Sequence, residues 1–256
     1  MTAFLSSLLI PGLVLAAAIA MMVTEAAVPG RSWPKVTHWY ARAIAANLVQ
    51  AGVIVLTGFT SDRFFRAHRL FDAGPLGVTV GALVGYVVST FVYYWWHRWR
   101  HQFSFLWLWF HQFHHSPQRI EVVTSFYKHP FELLANGLLS SAVLYLGCGL
   151  DKQAAAYAML LSGLAELVYH WNVKTPRWLG YLFQRPEMHC VHHQEGVHSF
   201  NFGDLPIWDM LFGTFNNPPA FEERCGFGDA NEHRVLDLLR GVDVNAAPSD
   251  GKEPAS

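Results

Sequence analysis

Charge is what this chain has least of. Asp, Glu, Lys and Arg together make up 14% of its 256 residues, against about 25% in soluble globular proteins. The basic residues stand in short groups rather than in a stripe, and the net charge is -1, so nothing points to a nucleic-acid partner. Cysteine is scarce too. Cys148, Cys190 and Cys225 are odd in number and fit neither a zinc site nor a disulfide framework, which suits a reducing, cytosol-facing setting. No Lys or Arg precedes the first apolar run, as a signal peptide would require, and its Met-Met-Val-Thr-Glu exit lacks a cleavage pattern. That run, from about Phe4 to Val23, is therefore expected to be a membrane span.

What fills the chain instead is apolar: hydrophobic residues reach 52%. Long runs predict an all-α integral membrane protein with about four to five spans, each needing ~20 residues. After the first run, a loop with Arg31, Lys35, Arg42, Trp33, Trp39 and Tyr40 reads as a cationic, aromatic segment in the cytosol. The second span is expected from Ala41 to about Thr60, followed by a polar connection from Ser61 to Phe71. Arg63, Arg66 and Arg69 in that connection run against a simple alternation of spans. The third span, from about Leu76 to Trp96, ends in Tyr93-Tyr94-Trp95-Trp96, read with Trp99 as an aromatic anchor at the headgroups.

Phe103 to Phe110 is too short to span, and a polar stretch follows from Ser116 to Pro130. Phe131 to Gly149 and Ala154 to Tyr169 read as a membrane hairpin turned at Leu150-Asp151-Lys152. The segment after His170 is too polar for lipid. Pro186-Glu187 reads as a first helical turn, Phe200 to Phe215 as a segment folded on the cytosolic domain, and the end from about Ala246 as frayed.

Histidines organise the middle of the chain. His97 and His101 form H-x-x-x-H, His111, His114 and His115 form H-x-x-H-H, and His189, His192 and His193 repeat it, with His170 alone between. Residues three or four apart share a helix face, so each motif presents two or three ring nitrogens to one region. By the expected topology all nine lie at helix ends on one side. Imidazole suits iron, zinc, copper and nickel; a catalytic zinc uses three protein ligands, so nine rings fit two metals. Cys190 points away from its histidine neighbours' face and reads as packing. His38, His68 and His233 read as ordinary surface or interface histidines.

These motifs, with Lys-His-Pro-Phe-Glu at 128–132, Trp-Leu-Gly-Tyr at 178–181, Pro-Glu-Met-His at 186–189 and Trp-Asp-Met-Leu-Phe-Gly-Thr at 208–214, resemble the fatty acid hydroxylase and sterol desaturase superfamily. The resemblance runs from about Leu83 to Pro218. It implies two iron ions, O2 as co-substrate, hydroxylation or desaturation of a lipid C-H bond, and electrons from a separate donor protein. It also implies a cytosolic helical cap carrying the dimetal site. The expected division is N-terminal membrane helices over 1–75, a catalytic region over 76–218 and a cytosolic tail over 219–256.

One departure stands out. The fatty acid hydroxylase branch has H-x-x-x-H before its last motif, whereas here His170 has Glu166 one turn before and Lys174 one turn after. Glu166 or His129 is open as the group completing the second site. The favoured role for Glu166 is to accept a hydrogen bond from the His170 ring, and His198, Asn201 and Asp204 are polar enough to support ligands in the same way. The alternatives are a metal transporter, whose sites lie near the bilayer midplane, a haem protein, which would leave most rings unused, and a zinc hydrolase, for which no H-E-x-x-H carboxylate is present.

Overall fold

The computed structural model describes residues 2–222 and 224–246, with the side chains of 2–10, 54 and 59 outside the description. The tail expected to fray beyond Ala246 also lies outside it. Among the described residues every regular element is helical, apart from an isolated bridge between Gln194 and Cys225. Helices α1 (Thr2–Ala27), α2 (Trp39–Ala67) and α3 (Gly77–Gln102) come first. The stretches Trp39–Ala67 and Gly74–Gln102 are long and apolar enough to cross a membrane.

Helix α2 does not stop near Thr60, as the polar residues after it led us to expect. The Ser61 hydroxyl donates to the Thr57 carbonyl at 2.6 Å, and Ser141 donates to the Asp62 carboxylate at 2.7 Å. With their polar groups satisfied by their own turn and by a neighbouring helix, Ser61 and Asp62 need no exit to water. Two of the three arginines find partners: Arg69 pairs with Asp72 at 3.1 Å, and the Arg66 guanidinium lies 5.2 Å from the Tyr145 ring.

Helix α3 likewise runs past Trp96 and carries His97 and His101 one turn apart. Its expected aromatic anchor is divided. Tyr94 is fully buried and its hydroxyl lies 3.0 Å from that of Thr214, while Tyr93 donates to the Asn136 carbonyl at 2.7 Å. Hydroxyls that find protein partners have reason to turn inward. Trp99 remains 44% exposed.

Phe103, in extended conformation, breaks the chain before α4 (Ser104–Phe110), and His111 separates that helix from α5 (Gln112–His115). The polar stretch that follows is buried rather than solvated. Ser116, Thr124 and Ser125 have no exposure, and Glu25 at the end of α1 accepts from the backbone N–H groups of Val122 and Asn172. Helix α6 (Pro130–Ser141) opens with proline and continues as a π-helical turn over Ala142–Gly147. Asp151 then caps α7 (Lys152–His170) by accepting from Gln153 and Ala154 at 2.8 Å. Helix α3 packs along α7, and α2 along α6.

The remaining helices are short: α8 (Pro186–His192), α9 (Pro206–Phe212), α10 (Gly228–Glu232) and α11 (Val235–Leu239). Phe227, Leu238 and Val244 pack with Trp39, Phe113 and Tyr127 in one buried cluster. The C-terminal segment therefore closes the base of the histidine-bearing region. Gln112 fixes it from both sides, donating to Val242 and accepting from the N–H of Val244.

The turn between α6 and α7 depends on Gly149, which has φ +65°, and a Cβ there would lie 1.8 Å from the Phe71 carbonyl oxygen. Gly149→Ala should destabilise the protein by more than ~1 kcal/mol through strain and clash. Gly52→Ala, in a helix with open space around it, should be neutral or slightly stabilising. Melting curves of the two purified variants compare them directly; equal melting temperatures would contradict the assigned turn.

Candidate metal centre

Regular helix brings His97 and His101 together on α3, and α8 does the same for His189 and His192, with His193 as its C-terminal cap. His111 stands at the α4–α5 junction, His114 and His115 lie on α5, and His170 is the last residue of α7. All nine sequence-predicted residues converge, in two groups. His97, His101, His111, His115 and His192 form one, and His114, His170, His189 and His193 the other, each with its ring nitrogens within 4.8 Å of one another. The groups touch: the rings of His115 and His193 stack at 4.1 Å.

Main-chain carbonyls set the chemistry of four rings. The Nδ1 atoms of His97 and His192 lie 2.8 Å from the oxygens of Phe202 and Phe200, His114 Nδ1 lies 3.1 Å from Tyr127 O, and His170 Nδ1 lies 2.9 Å from Glu166 O. A carbonyl only accepts, so each Nδ1 carries the proton and each Nε2 is left as a lone-pair donor. Two of these rings belong to each group.

The inward nitrogens crowd one another without adequate partners. His97 Nε2 stands 2.8 Å from His111 Nε2, and His170 Nε2 stands 3.1 Å from His189 Nε2. Both ring nitrogens of His101, Nε2 of His192, and Nδ1 of His115, His189 and His193 are buried with no hydrogen-bond partner. Each such orphan costs about 1–3 kcal/mol. A cation between the rings removes that cost at an inward orphan such as His192 Nε2 and relieves the crowding of the facing Nε2 atoms, and the donor set fits iron or another borderline metal.

Burial also keeps the rings neutral, as metal ligation requires. It holds His111, His114, His115, His189 and His193 well below the usual histidine range and pushes His192 down to about 3. Neighbouring rings and Arg100 add to the effect on His111.

The surroundings revise several expectations. Glu166 does not present its carboxylate to His170. That carboxylate is ion-paired with Lys128, and His170 bonds the main-chain oxygen of Glu166 instead, because a ring one turn further along the helix reaches back to the carbonyl. His129 lies outside both groups, capping α6 by accepting from the N–H of Phe131. Asn201, at φ 57°, pins Met188 and Asn216 through its amide rather than supporting a ring. Asp204 lies outside both groups. His198 does approach the first group, its ring 5.2 Å from that of His115 and 5.7 Å from that of His101. Cys190 packs against Cys225 and Ile120. His38, His68 and His233 lie outside both groups.

Sequence reasoning passed over Arg100 and Glu132. The Glu132 carboxylate lies 3.2 Å from His111 Nδ1 and is ion-paired with Arg100, both side chains being almost wholly buried. The available signal was a carboxylate at the head of an apolar run.

Nine rings held neutral by burial make stability without metal depend on pH. The unfolded rings titrate near 6.5 and the folded ones lower, so as pH falls below ~6.5 the unfolded chain takes up protons that the folded one does not. Metal-stripped protein should keep a constant melting temperature above about pH 7.5 and lose stability on acidification, by up to ~1.4 kcal/mol per pH unit for each ring. Thermal melts between pH 8 and 5.5 test this, and a flat profile would contradict the neutral cluster.

Comparison with known proteins agrees with this geometry. The fatty acid hydroxylase family profile matches residues 82–214, more than half of the chain. An ornithine lipid hydroxylase of Rhizobium tropici is 31% identical over 159 residues, covering 60% of this chain and 47% of that protein. A very-long-chain aldehyde decarbonylase of Oryza sativa subsp. japonica is 30% identical over 180 residues, covering 64% of this chain and 28% of the relative. The chain thus spans less than half the length of either relative, and no solved structure matches it. With its histidine motifs inside the matched region, the chain belongs to the fatty acid hydroxylase family.

Proposed function

We propose that this protein is a multi-pass membrane oxidoreductase that binds two iron ions and uses O2, with electrons from a separate protein, to hydroxylate or desaturate a C-H bond of a lipid. The observation that carries the reading is the pair of converging imidazole groups, each with two rings whose tautomer leaves Nε2 as a ligand atom. Family membership and the lipid-acting name of the ornithine lipid hydroxylase support it. Residues 76–218 are the proposed catalytic region, with N-terminal membrane helices over 1–75 and a cytosolic tail over 219–256.

When bound, the irons would supply O2 activation and the oxidising power for C-H cleavage. His97, His101, His111, His115 and His192 would hold one, and His114, His170, His189 and His193 the other. Glu132, held by Arg100, orients His111, while the carbonyls of Tyr127, Glu166, Phe200 and Phe202 orient four other rings. Burial of seven of the nine rings limits the access of bulk water to the centre.

In the proposed topology α1, α2 and α3 cross the bilayer and α6 with α7 return as a hairpin, so that all nine histidines face the cytosol. Reporters fused at Gly30 and after Ser256 should report cytosol, and one near Asp151 the opposite side. Agreement between the reporters after Ser256 and near Asp151 would remove the hairpin.

Metal analysis of active protein from iron-replete cells should give close to two equivalents of iron, and one or fewer would end the dinuclear reading. His192→Ala and His114→Ala each remove a ring from a different group. Since the ligands act as a unit, each should lower lipid oxidation by more than about 100-fold, nearly as far as the double change. Phe131→Leu, at an exposed site, should leave it largely intact. Lipid extracts and metal uptake are measured on the same strains. Unchanged lipids with reduced uptake would replace the oxygenase reading with transport.

A further inference from the structure

Cys190 and Cys225 are 35 residues apart in the chain, yet their sulfurs meet. Sγ lies 3.0 Å from Sγ, inside the distance of about 3.5–4.0 Å at which unbonded carbon atoms rest. Cys190 has no exposure and Cys225 has 4%, and Ile120, Trp33 and Phe221 pack around them. The third cysteine, Cys148, belongs elsewhere, with the cluster of Leu144, Tyr145 and Leu150.

Main-chain bonds hold the two sulfurs in place. Gln194, just past α8, forms an antiparallel bridge with Cys225, the Glu195 N–H donates to Arg224 O at 3.1 Å, and the Gly226 N–H donates to His193 O at 3.1 Å. Residues 224–226 are thus tied along the end of α8. The Cys225 thiol also lies 3.5 Å from the Cys190 carbonyl oxygen, and Arg31 Nη1 lies 3.9 Å from Cys190 Sγ.

Two buried thiols in contact can be packing, a metal site or a covalent bond in waiting. A shared zinc does not fit, because sulfurs about 2.3 Å from one tetrahedral ion stand about 3.7 Å apart. Nor does either sulfur join a group of three or more metal-ligating side chains among the described residues. Packing alone calls for no such close approach. A disulfide needs the 3.0 Å gap to close by about 1 Å, which rotation of the two side chains supplies.

We propose that Cys190 and Cys225 are a modification site, a reversible disulfide that staples residues 224–226 to α8 when the protein meets hydrogen peroxide. One sulfur, as thiolate, attacks the peroxide O–O bond, expels hydroxide and becomes a sulfenic acid; the other then displaces that hydroxyl as water and forms the S–S bond. Two thiols and one peroxide give one disulfide and two waters, the sulfurs losing two electrons and the peroxide gaining them. Thiol exchange with a reductant reverses the step, and in a reducing compartment the pair rests as thiols. The open pocket of about 550 Å³ is lined by Glu195, Gly196 and Gly226, beside the pair, which gives a water-sized oxidant a short way in. The bond restrains the helix that carries His189 and His192 without consuming a ring, and it does not depend on what the centre catalyses.

The test uses the full chain in nanodiscs with Cys148→Ser, so that only the pair remains. After a peroxide dose that fully oxidises an exposed control thiol, peptide mapping should find Cys190 joined to Cys225 within one chain, and dithiothreitol should restore both thiols. The oxidised protein should melt about 5 °C or more above the reduced one, since the bond closes a loop of about 35 residues in the unfolded chain. Cys190→Ala and Cys225→Ala in the same background should melt within about 1 °C with and without peroxide, which controls for oxidation elsewhere. Two free thiols after the dose, or sulfinic or sulfonic acid at either position without the cross-link, overturns the proposal. So does an equal rise in melting temperature in the alanine variants.

Discussion

Four hydrogen bonds from imidazole Nδ1 atoms to main-chain carbonyls, those of Tyr127, Glu166, Phe200 and Phe202, are what the centre depends on. Each selects one tautomer, fixes one ring plane and aims one lone pair inward. The acceptors come from three places in the chain: the buried loop before α6, the last turns of α7, and the segment after α8. The fold must therefore hold three backbone segments in register for the rings to keep this arrangement. The unusual burial of the polar stretch from Ser116 to His129, which carries the Tyr127 carbonyl, follows from that demand.

Holding those segments costs polar burial, and the chain offsets it with closed networks. Arg185 donates to Thr175 and Asn217 and pairs with Glu187, which accepts in turn from the backbone and hydroxyl of Thr175. This network lies at the start of α8 and anchors the helix that supplies His189 and His192. Asp209 plays a similar part for the Phe202 carbonyl, accepting from Phe202, Gly203 and Thr214. Burial raises the Asp209 carboxyl to about 6, its hydrogen bonds pulling the other way. Replacing such networks piecemeal leaves charges unpaired, so they specify the geometry more than they stabilise it.

Much of this was legible in the sequence because helix periodicity is local. The spacing of His97 with His101 and of His189 with His192, and the proline opening of α8, read correctly as helical placements, whereas His111 falls at the break between α4 and α5. The hairpin turn at Asp151 was legible as well, since a capping aspartate before an apolar run has a local signature. What failed had no local signature. A carbonyl acceptor is the same in every residue, so nothing in the sequence distinguishes the main-chain oxygen of Glu166 from its carboxylate as the partner of His170. Tyr94 reads as an interfacial anchor by composition, and only the approach of Thr214, 120 residues later, turns it inward. Helix α2 outran its expected end because Ser141 from a distant helix satisfies Asp62.

The two histidine groups are joined through α5 and α8, since His114 and His115 are adjacent in the chain but belong to different groups, as do His192 and His193. Neighbouring residues on a helix point about 100° apart, so each pair straddles the boundary and a rotation of either helix disturbs both groups at once. That coupling makes independent loss of one group difficult. It also sets the orientation of the whole centre. With α5 and α8 fixed, the first group faces the open pocket lined by His101 and the second faces Tyr169. A single pair of short helices therefore decides which group borders the open pocket and which borders Tyr169.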